Sequence, residues 1–129
     1  MSHYSISKTV SLSFSDAIDA VKAAAQAKGF GTLVEIDMKQ KFHDVLGKNI
    51  DEYVILGVCH PPSAFEAISA EQEIGLLLPC NIIVHKKEGM VIVSAIRPSI
   101  AMSFVQNQKL KPLAIRVEKT LEDILFSLS

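Results

Sequence analysis

The sequence has 129 residues, of which 49% are hydrophobic and 21% are charged, a composition typical of a chain that folds around an apolar core. Its formal net charge is −1 and its basic and acidic residues are interspersed, so it lacks the positive surface by which proteins bind nucleic acids. Two cysteines are too few for a disulfide framework, and no apolar segment is long enough for a membrane span. We therefore expect one domain over residues 1–129, located in the cytoplasm with reduced cysteines.

The first part of the sequence predicts a strand followed by a helix. Apolar residues alternate with polar ones over positions 4–13, which indicates a strand with one wet face. Apolar residues then recur at helical spacing over 17–25. This helix is expected to begin after Ser13 or Ser15 and to end at Gly29.

The middle of the sequence predicts two strands, each followed by a short helix. Residues 31–37 predict the first of these strands, and a helix over 38–46 follows it with Asp37 as its cap. The apolar face of this helix is formed by Met38, Phe42, Val45 and Leu46. Residues 53–59 are a continuous apolar run, which predicts a central strand buried on both faces. Two prolines end that strand, and a short helix follows around residue 65.

The last part predicts a hairpin and a long helix. Strands over 80–85 and 90–96 are joined by a short turn that ends at Gly89. An irregular or short helical segment begins at Pro98, and the final helix runs from about Pro112 to the C-terminus. The buried stripe of this helix is formed by Leu113, Val117, Leu121, Ile124, Leu125 and Leu128.

This order of elements predicts an α+β fold. A hairpin followed by a long amphipathic helix favours a mainly antiparallel sheet, with the helices packed on one of its faces. The long C-terminal helix is then expected to lie across the sheet. Small folds of this type can enclose a cavity between the helix and the sheet.

Three segments together resemble one known family. They are Gly29 to Met38 with its Gly-Phe-Gly start, Tyr53 to Pro62, and Glu73 to Asn81. On these segments the chain resembles the domain-of-unknown-function 302 family over essentially its whole length. The resemblance implies a β-α-β(4)-α fold and a homodimer, and it implies no substrate, reaction, cofactor or catalytic residue.

The strongest candidate site combines Cys59, His60, Glu73 and Cys80. Cys59 ends one predicted strand and Cys80 begins the next, so both lie at the same end of the sheet when these strands are antiparallel neighbours. Three interpretations follow: a reversible disulfide, a metal site formed by Cys59, Cys80 and His60, or a small-molecule pocket lined by these residues. Plain packing of two buried cysteines is the alternative to all three.

A weaker candidate is the carboxylate pair Glu35 and Asp37. Both fall on the same side of one predicted strand, as a paired acid and base would require. A solvated strand face, with Asp37 capping the next helix, explains the same pattern.

The functional prediction is a small-ligand-binding or sensor module without classical catalytic machinery and without a cofactor. One alternative is a thiol-dependent or metal-dependent activity at Cys59 and Cys80. Another is a structural homodimeric interaction protein. No catalytic set assembles from these residues, and neither a nucleic-acid nor a membrane partner is expected.

Overall fold

The chain forms a five-stranded sheet in a computed structural model that describes residues 3–129. The strands are β1 (Ser5–Val10), β2 (Gly31–Asp37), β3 (Tyr53–Cys59), β4 (Cys80–Lys87) and β5 (Met90–Ile96). Their spatial order is β1-β5-β4-β3-β2, and every neighbouring pair is antiparallel. The predicted α+β class with a mainly antiparallel sheet is confirmed, whereas the prediction that residues 1–129 form one domain stays a prediction.

Within residues 3–129, five α-helices and one 3-10 helix connect and cover the strands. The α-helices are α1 (Phe14–Ala27), α2 (Met38–Leu46), α3 (Pro61–Ala70), α4 (Pro98–Ala101) and α5 (Leu110–Phe126), and the 3-10 helix spans Gln72–Leu77. Helix α5 begins at Leu110, slightly earlier than predicted. Pro112 stands in the first turn, where a missing N–H breaks no helical hydrogen bond.

The core lies between one face of the sheet and the helices α1 and α5. Val54, Leu56 and Val58 of β3 project into it, and the same cluster contains Val21 of α1 and Leu121 of α5. The predicted stripe of the C-terminal helix is buried, apart from a half-buried position at 117. These contacts confirm that the long helix packs on the sheet.

The opposite face of the sheet is open, and here the prediction for the central strand is wrong. Tyr53, Ile55 and Cys59 are only half-buried, so β3 is not buried on both faces. The reason is that α1 and α5 share a single core with the other face. Ile83 of β4 and Ile92 of β5 are half-buried on this open face as well.

Helix α2 forms as predicted but covers only part of its apolar face. Asp37 Oδ1 accepts a hydrogen bond from the Gln40 N–H at 3.0 Å, and Gly47 ends the helix in the left-handed conformation. No residue of α2 is buried, and Val45 and Leu46 are 67% and 59% exposed. The helix follows β2 at the edge of the sheet and contacts β3, which leaves Met38 and Phe42 half-buried, but it lies away from the α1 and α5 core, so Val45 and Leu46 stay exposed.

Candidate ligand-binding cavity

An apolar cavity of about 300 Å³ lies where β3 ends and β4 begins. Helices α3 and α5, the 3-10 helix and the start of α4 form its other walls. The apolar side chains of the walls are Phe30, Leu33, Val58, Ala64, Ala67, Ile68, Leu78, Pro79, Pro98, Met102, Leu113, Ala114 and Val117. The remaining lining residues are Cys59, His60, Ser63, Gly75 and Cys80, so within residues 3–129 no carboxylate, ammonium or guanidinium group lines the cavity.

Prolines set the path of the chain around this cavity. Pro61 and Pro62 occupy the first positions of α3, where proline's fixed φ suits a helix start. The chain therefore leaves the sheet at Cys59 and turns at once into a helix. Pro79 directly precedes β4, so the return to the sheet is equally abrupt. As a result, α3 and the 3-10 helix stand over the end of the sheet instead of lying on its face.

Small side chains keep the cavity open. Ala64 and Ala67 of α3 and Ala114 of α5 all line it. Ala67 also belongs, with Ile74 and Leu110, to a second apolar cluster that is separate from the main core. Three alanines on two neighbouring helices leave space that larger side chains would fill.

His60 is held in one orientation at the wall of the cavity. Its Nδ1 atom lies 2.7 Å from the Ser63 hydroxyl oxygen, and its ring stacks on Phe30 with centroids 5.2 Å apart. Gly29 lies against the ring edge, because a Cβ atom there would come within 3.1 Å of His60 Cδ2. Across residues 3–129, no protein group forms a hydrogen bond with the Nε2 atom.

The two cysteines lie at the same end of the sheet but are not directly paired. Cys80 faces Val58 across the β3–β4 ladder, and Cys59 faces Gly31 across the β2–β3 ladder. Because strand side chains alternate, this offset of one residue directs the two thiols toward opposite faces of the sheet. Both thiols are free, and both residues line the cavity, which lies beyond the strand ends.

The Cys80 thiol is poorly suited to thiolate chemistry. Burial, together with the nearby Cys59, raises the pKa of the Cys80 thiol from 9.0 to about 11. The thiolate is the form that attacks disulfides and binds metals, and it is scarce here at neutral pH. In the part of the chain that the structure describes, no three His, Cys, Asp or Glu side chains are grouped so that they could hold a metal ion.

The predicted carboxylates lie outside the cavity. Glu73 is exposed on the 3-10 helix and does not line it. Glu35 forms an ion pair with Lys22 of α1, while Asp37 caps α2. The structure therefore brings Cys59, His60 and Cys80 together around one cavity and gives the three carboxylates other surroundings.

A half-buried carboxylate, that of Glu118, fixes the short helix α4 against α5. Glu118 Oε2 accepts a hydrogen bond from Arg97 Nη1 at 3.1 Å, and Oε1 accepts from the Ser99 N–H and hydroxyl at 3.0 and 2.5 Å. Burial alone would raise the pKa of Glu118, but the hydrogen bonds from Ser99 and Arg97 hold that pKa below its usual value. Pro98 and Met102, on either side of this contact, line the cavity.

A second contact holds the segment after α4. Asn107 Nδ2 donates to the Ala70 carbonyl at 2.8 Å and to Glu71 Oε1 at 3.0 Å, at the end of α3. A more polar groove of about 500 Å³ lies along this segment, and Met102 and Ala114 line both the groove and the cavity. The segment from Pro98 to Asn107 thus forms one wall of the cavity and is held at both ends.

Sequence reasoning missed several lining residues. Ser63 carries a local signal, because it follows His60 by three residues at a helix start, where such side chains meet. Phe30 lies inside the Gly-Phe-Gly segment but looks like an ordinary core residue. Pro98 and Met102 reach the cavity only through the packing of α4 on α5, and no local sequence pattern indicates this packing.

Comparisons with known proteins agree with one another. The family model described as "Domain of unknown function DUF302" matches residues 6–128. The solved structure described as "Crystal structure of uncharacterized conserved protein DUF302 from Bacillus stearothermophilus" is similar, with a TM-score of 0.94 and 23% sequence identity over 99% of this chain and 100% of that chain. At that identity the likeness shows the fold alone. Among curated proteins, none matches this chain. Over residues 3–129, no helix is long and apolar enough to cross a membrane.

Proposed function

This chain belongs to the family described as Domain of unknown function DUF302, and we propose that it is a small-ligand-binding module without classical catalytic machinery. The observation that carries the proposal is the apolar cavity of about 300 Å³ at the end of β3 and β4. Ligand sites in proteins are typically concave and mostly apolar, with a few polar groups that orient the ligand. This cavity has that character, with His60, Ser63 and two thiols as its polar groups.

A melting-temperature screen tests the proposal. A compound that binds the native state raises the melting temperature, by an amount that depends on its concentration relative to Kd. We expect hits with the wild-type chain and loss of those hits in Ala67→Leu, because position 67 is buried in the cavity wall and the larger side chain takes up ligand space. The melting temperature of Ala67→Leu without compound reports whether the variant folds.

Ala23→Leu is the matched control for this screen. Ala23 is exposed on α1, so the same change there should leave every hit intact. Hits that survive in Ala67→Leu would locate binding elsewhere. A broad screen without any hit on the wild-type chain would contradict the proposal.

The thiol alternative receives less support from the site. The thiols of Cys59 and Cys80 are directed toward opposite sheet faces, and burial raises the pKa of the Cys80 thiol to about 11. Both features oppose an easily formed disulfide between the two. We propose that the two cysteines serve as cavity walls, and their free state fits the reducing cytoplasm as the location of the protein.

We further propose that two copies of the chain associate through the open sheet face and α2. Val45 and Leu46 on the apolar face of α2 are exposed, and on the neighbouring edge strand Val34 and Ile36 are 42% and 40% exposed. Large exposed apolar surfaces mark interaction sites, and a two-fold arrangement lets each copy cover the same surface of the other. A net charge of −1 per chain offers little repulsion between copies.

Sedimentation velocity tests the dimer. We expect the wild-type chain to sediment at twice its mass of 14.1 kDa, and Val45→Lys to sediment as a monomer. Phe65→Lys is the control, since Phe65 is also exposed, at 77%, but lies on α3, outside the proposed surface. A monomeric wild-type chain, or a Val45→Lys variant that remains dimeric, would contradict the proposed interface.

A further inference from the structure

We infer that the ligand of this cavity is an uncharged, largely apolar molecule about two rings in size, whose single hydrogen-bonding group meets His60 and Ser63. This inference rests on the proposed ligand-binding function. It narrows that function to one chemical class.

The composition of the walls argues against a charged ligand. No acidic side chain, lysine or arginine lines the cavity within residues 3–129, and the Cys80 thiol is held in its neutral form by burial. A charge placed among these walls would lose hydration without meeting a permanently charged side chain of opposite sign, which is strongly unfavourable. Uncharged molecules avoid this penalty.

The start of α3 does not change this conclusion. A helix N-terminus binds anions through its free N–H groups. Here Pro61 and Pro62 occupy the first positions of the helix and carry no N–H, and the Ala64 N–H donates to the His60 carbonyl at 3.0 Å. The Ser63 N–H alone remains, too little to hold a phosphate or a carboxylate.

The volume of the cavity sets the size of the ligand. An apolar cavity of about 150 Å³ accommodates one benzene molecule. The 300 Å³ found here therefore corresponds to about two fused rings, or about ten to twelve non-hydrogen atoms. The stacked rings of Phe30 and His60 at the wall suit a flat ligand.

The polar group of the ligand is placed by the His60–Ser63 pair. The ring of His60 is fixed by Phe30 on its face and by Ser63 at Nδ1, so both residues are oriented before a ligand arrives. The Ser63 hydroxyl and the imidazole can each donate or accept a hydrogen bond, which matches a neutral hydroxyl or carbonyl group. Such an arrangement orients the ligand at little entropic cost.

Three probes with one skeleton test the inference by isothermal titration at about pH 7.5, where a carboxylic acid is ionised and a phenol is neutral. They are 2-naphthol, 2-methylnaphthalene and 2-naphthoate. We expect 2-naphthol to bind most tightly. We expect 2-methylnaphthalene to bind about 3- to 10-fold more weakly, as the loss of one neutral hydrogen bond implies, and 2-naphthoate on the order of 100-fold more weakly.

Variants of the polar pair separate the anchor from the apolar walls. In His60→Phe, which retains an aromatic ring beside Phe30, 2-naphthol should lose its 3- to 10-fold advantage while 2-methylnaphthalene is unaffected. Ser63→Ala should act in the same direction with less disturbance of the ring stack. His43→Phe is the matched control, because His43 is exposed on α2 and lines neither the cavity nor the groove.

Failure of this inference and failure of the proposed function give different results. If 2-naphthoate binds as tightly as 2-naphthol and Ala67→Leu abolishes both, the cavity binds ligands but the uncharged class is overturned. If 2-naphthol and 2-methylnaphthalene bind equally in the wild-type chain and in His60→Phe, the polar anchor is overturned. If none of the three probes binds, the inference is overturned, and the melting-temperature screen decides the proposed function separately.

Discussion

Glu118→Gln is the substitution that most directly tests how the cavity wall is held. The Glu118 side chain is 15% exposed, and its carboxylate accepts from Arg97 and twice from Ser99. Glutamine keeps the shape of the side chain but removes its negative charge. It also replaces one carboxylate oxygen with an NH2 group, which then faces a hydrogen-bond donor. Hydrogen bonds to charged groups contribute about 1.5–3 kcal/mol, so we expect the free energy of unfolding to fall by about 2 kcal/mol.

The expected loss of free energy corresponds to a measurable decrease in melting temperature. An unfolding entropy of about 2.1 cal/mol/K per residue gives about 270 cal/mol/K for a chain of this length, so 2 kcal/mol corresponds to about 7 °C. Glu66→Gln is the control, because Glu66 forms an ion pair with Arg116 in which both side chains are more than half exposed. Exposed pairs contribute less than about 1 kcal/mol, so its melting temperature should change by no more than about 4 °C.

The same substitution predicts a pH dependence. The folded protein holds the pKa of Glu118 below its usual value, so the stability that this carboxylate adds is fully present above the pKa of an unfolded glutamate, 4.5. It is lost as the pH falls through the lowered pKa of the folded state. The difference in free energy of unfolding between wild type and Glu118→Gln should therefore be constant from about pH 6 to 8 and shrink below about pH 4.5. A loss no larger than that of Glu66→Gln, or a difference that persists unchanged at about pH 3, would refute this account.

Three further predictions concern single side chains. Gly57→Ala should lower the free energy of unfolding by about 1–3 kcal/mol, because the added Cβ would lie 2.8 Å from the Pro79 ring. A Cβ at Gly31 would have no atom within 4 Å, so Gly31→Ala should have little effect in denaturant unfolding. Burial and, to a smaller extent, the neighbouring Lys87 lower the pKa of His85, so the free energy of unfolding should fall as the pH drops below the ordinary histidine pKa of 6.5. His85→Gln should make that fall smaller. An unchanged pH profile in this variant would contradict the role of His85. In the folded protein iodoacetamide should modify Cys80 at least about 100-fold more slowly than a free cysteine, since its thiol pKa is near 11, and peptide mass spectrometry should find Cys59 modified first. Equal rates at the two sites would show that Cys80 is not shielded.

The sequence predicts an element and its packing correctly where the apolar stripe of the element lies in the main core. The stripe of the C-terminal helix is a full set of large apolar residues at helical spacing, and it packs on the sheet as predicted. The sequence predicts helix α2 from Asp37 as its cap as well as from its apolar face. Its caps are in place, but Val45 and Leu46 of its apolar face are exposed, because periodicity indicates a surface that needs a partner without indicating which molecule provides it.

The candidate site was only partly predictable, for a physical reason. Cys59 and Cys80 end and begin neighbouring strands, so chain order alone placed them at one end of the sheet. The faces toward which their side chains point depend on the register between the two strands, and a shift of one residue would reverse one of them. No sequence pattern at the strand ends specifies that register. The contributions of Pro98 and Met102 depend on how α4 docks on α5 through Glu118, a contact between residues about twenty positions apart.

The division of the core into two clusters bears on how a ligand could enter. The larger cluster joins the sheet, α1 and α5, whereas the smaller one, with Ala67, Ile74, Leu110 and Leu113, supports the cavity beside α3 and the 3-10 helix. Regions with few buried apolar contacts open locally at a lower free energy than the main core. Amide hydrogen exchange should therefore be faster in α3 and the 98–107 segment than in β3 and β4. A bound ligand should slow exchange most in that faster region and at the cavity ends of β3 and β4, since these are the parts of the chain that it contacts. Uniform slowing throughout the chain would instead mean that the cavity and the main core open as one unit.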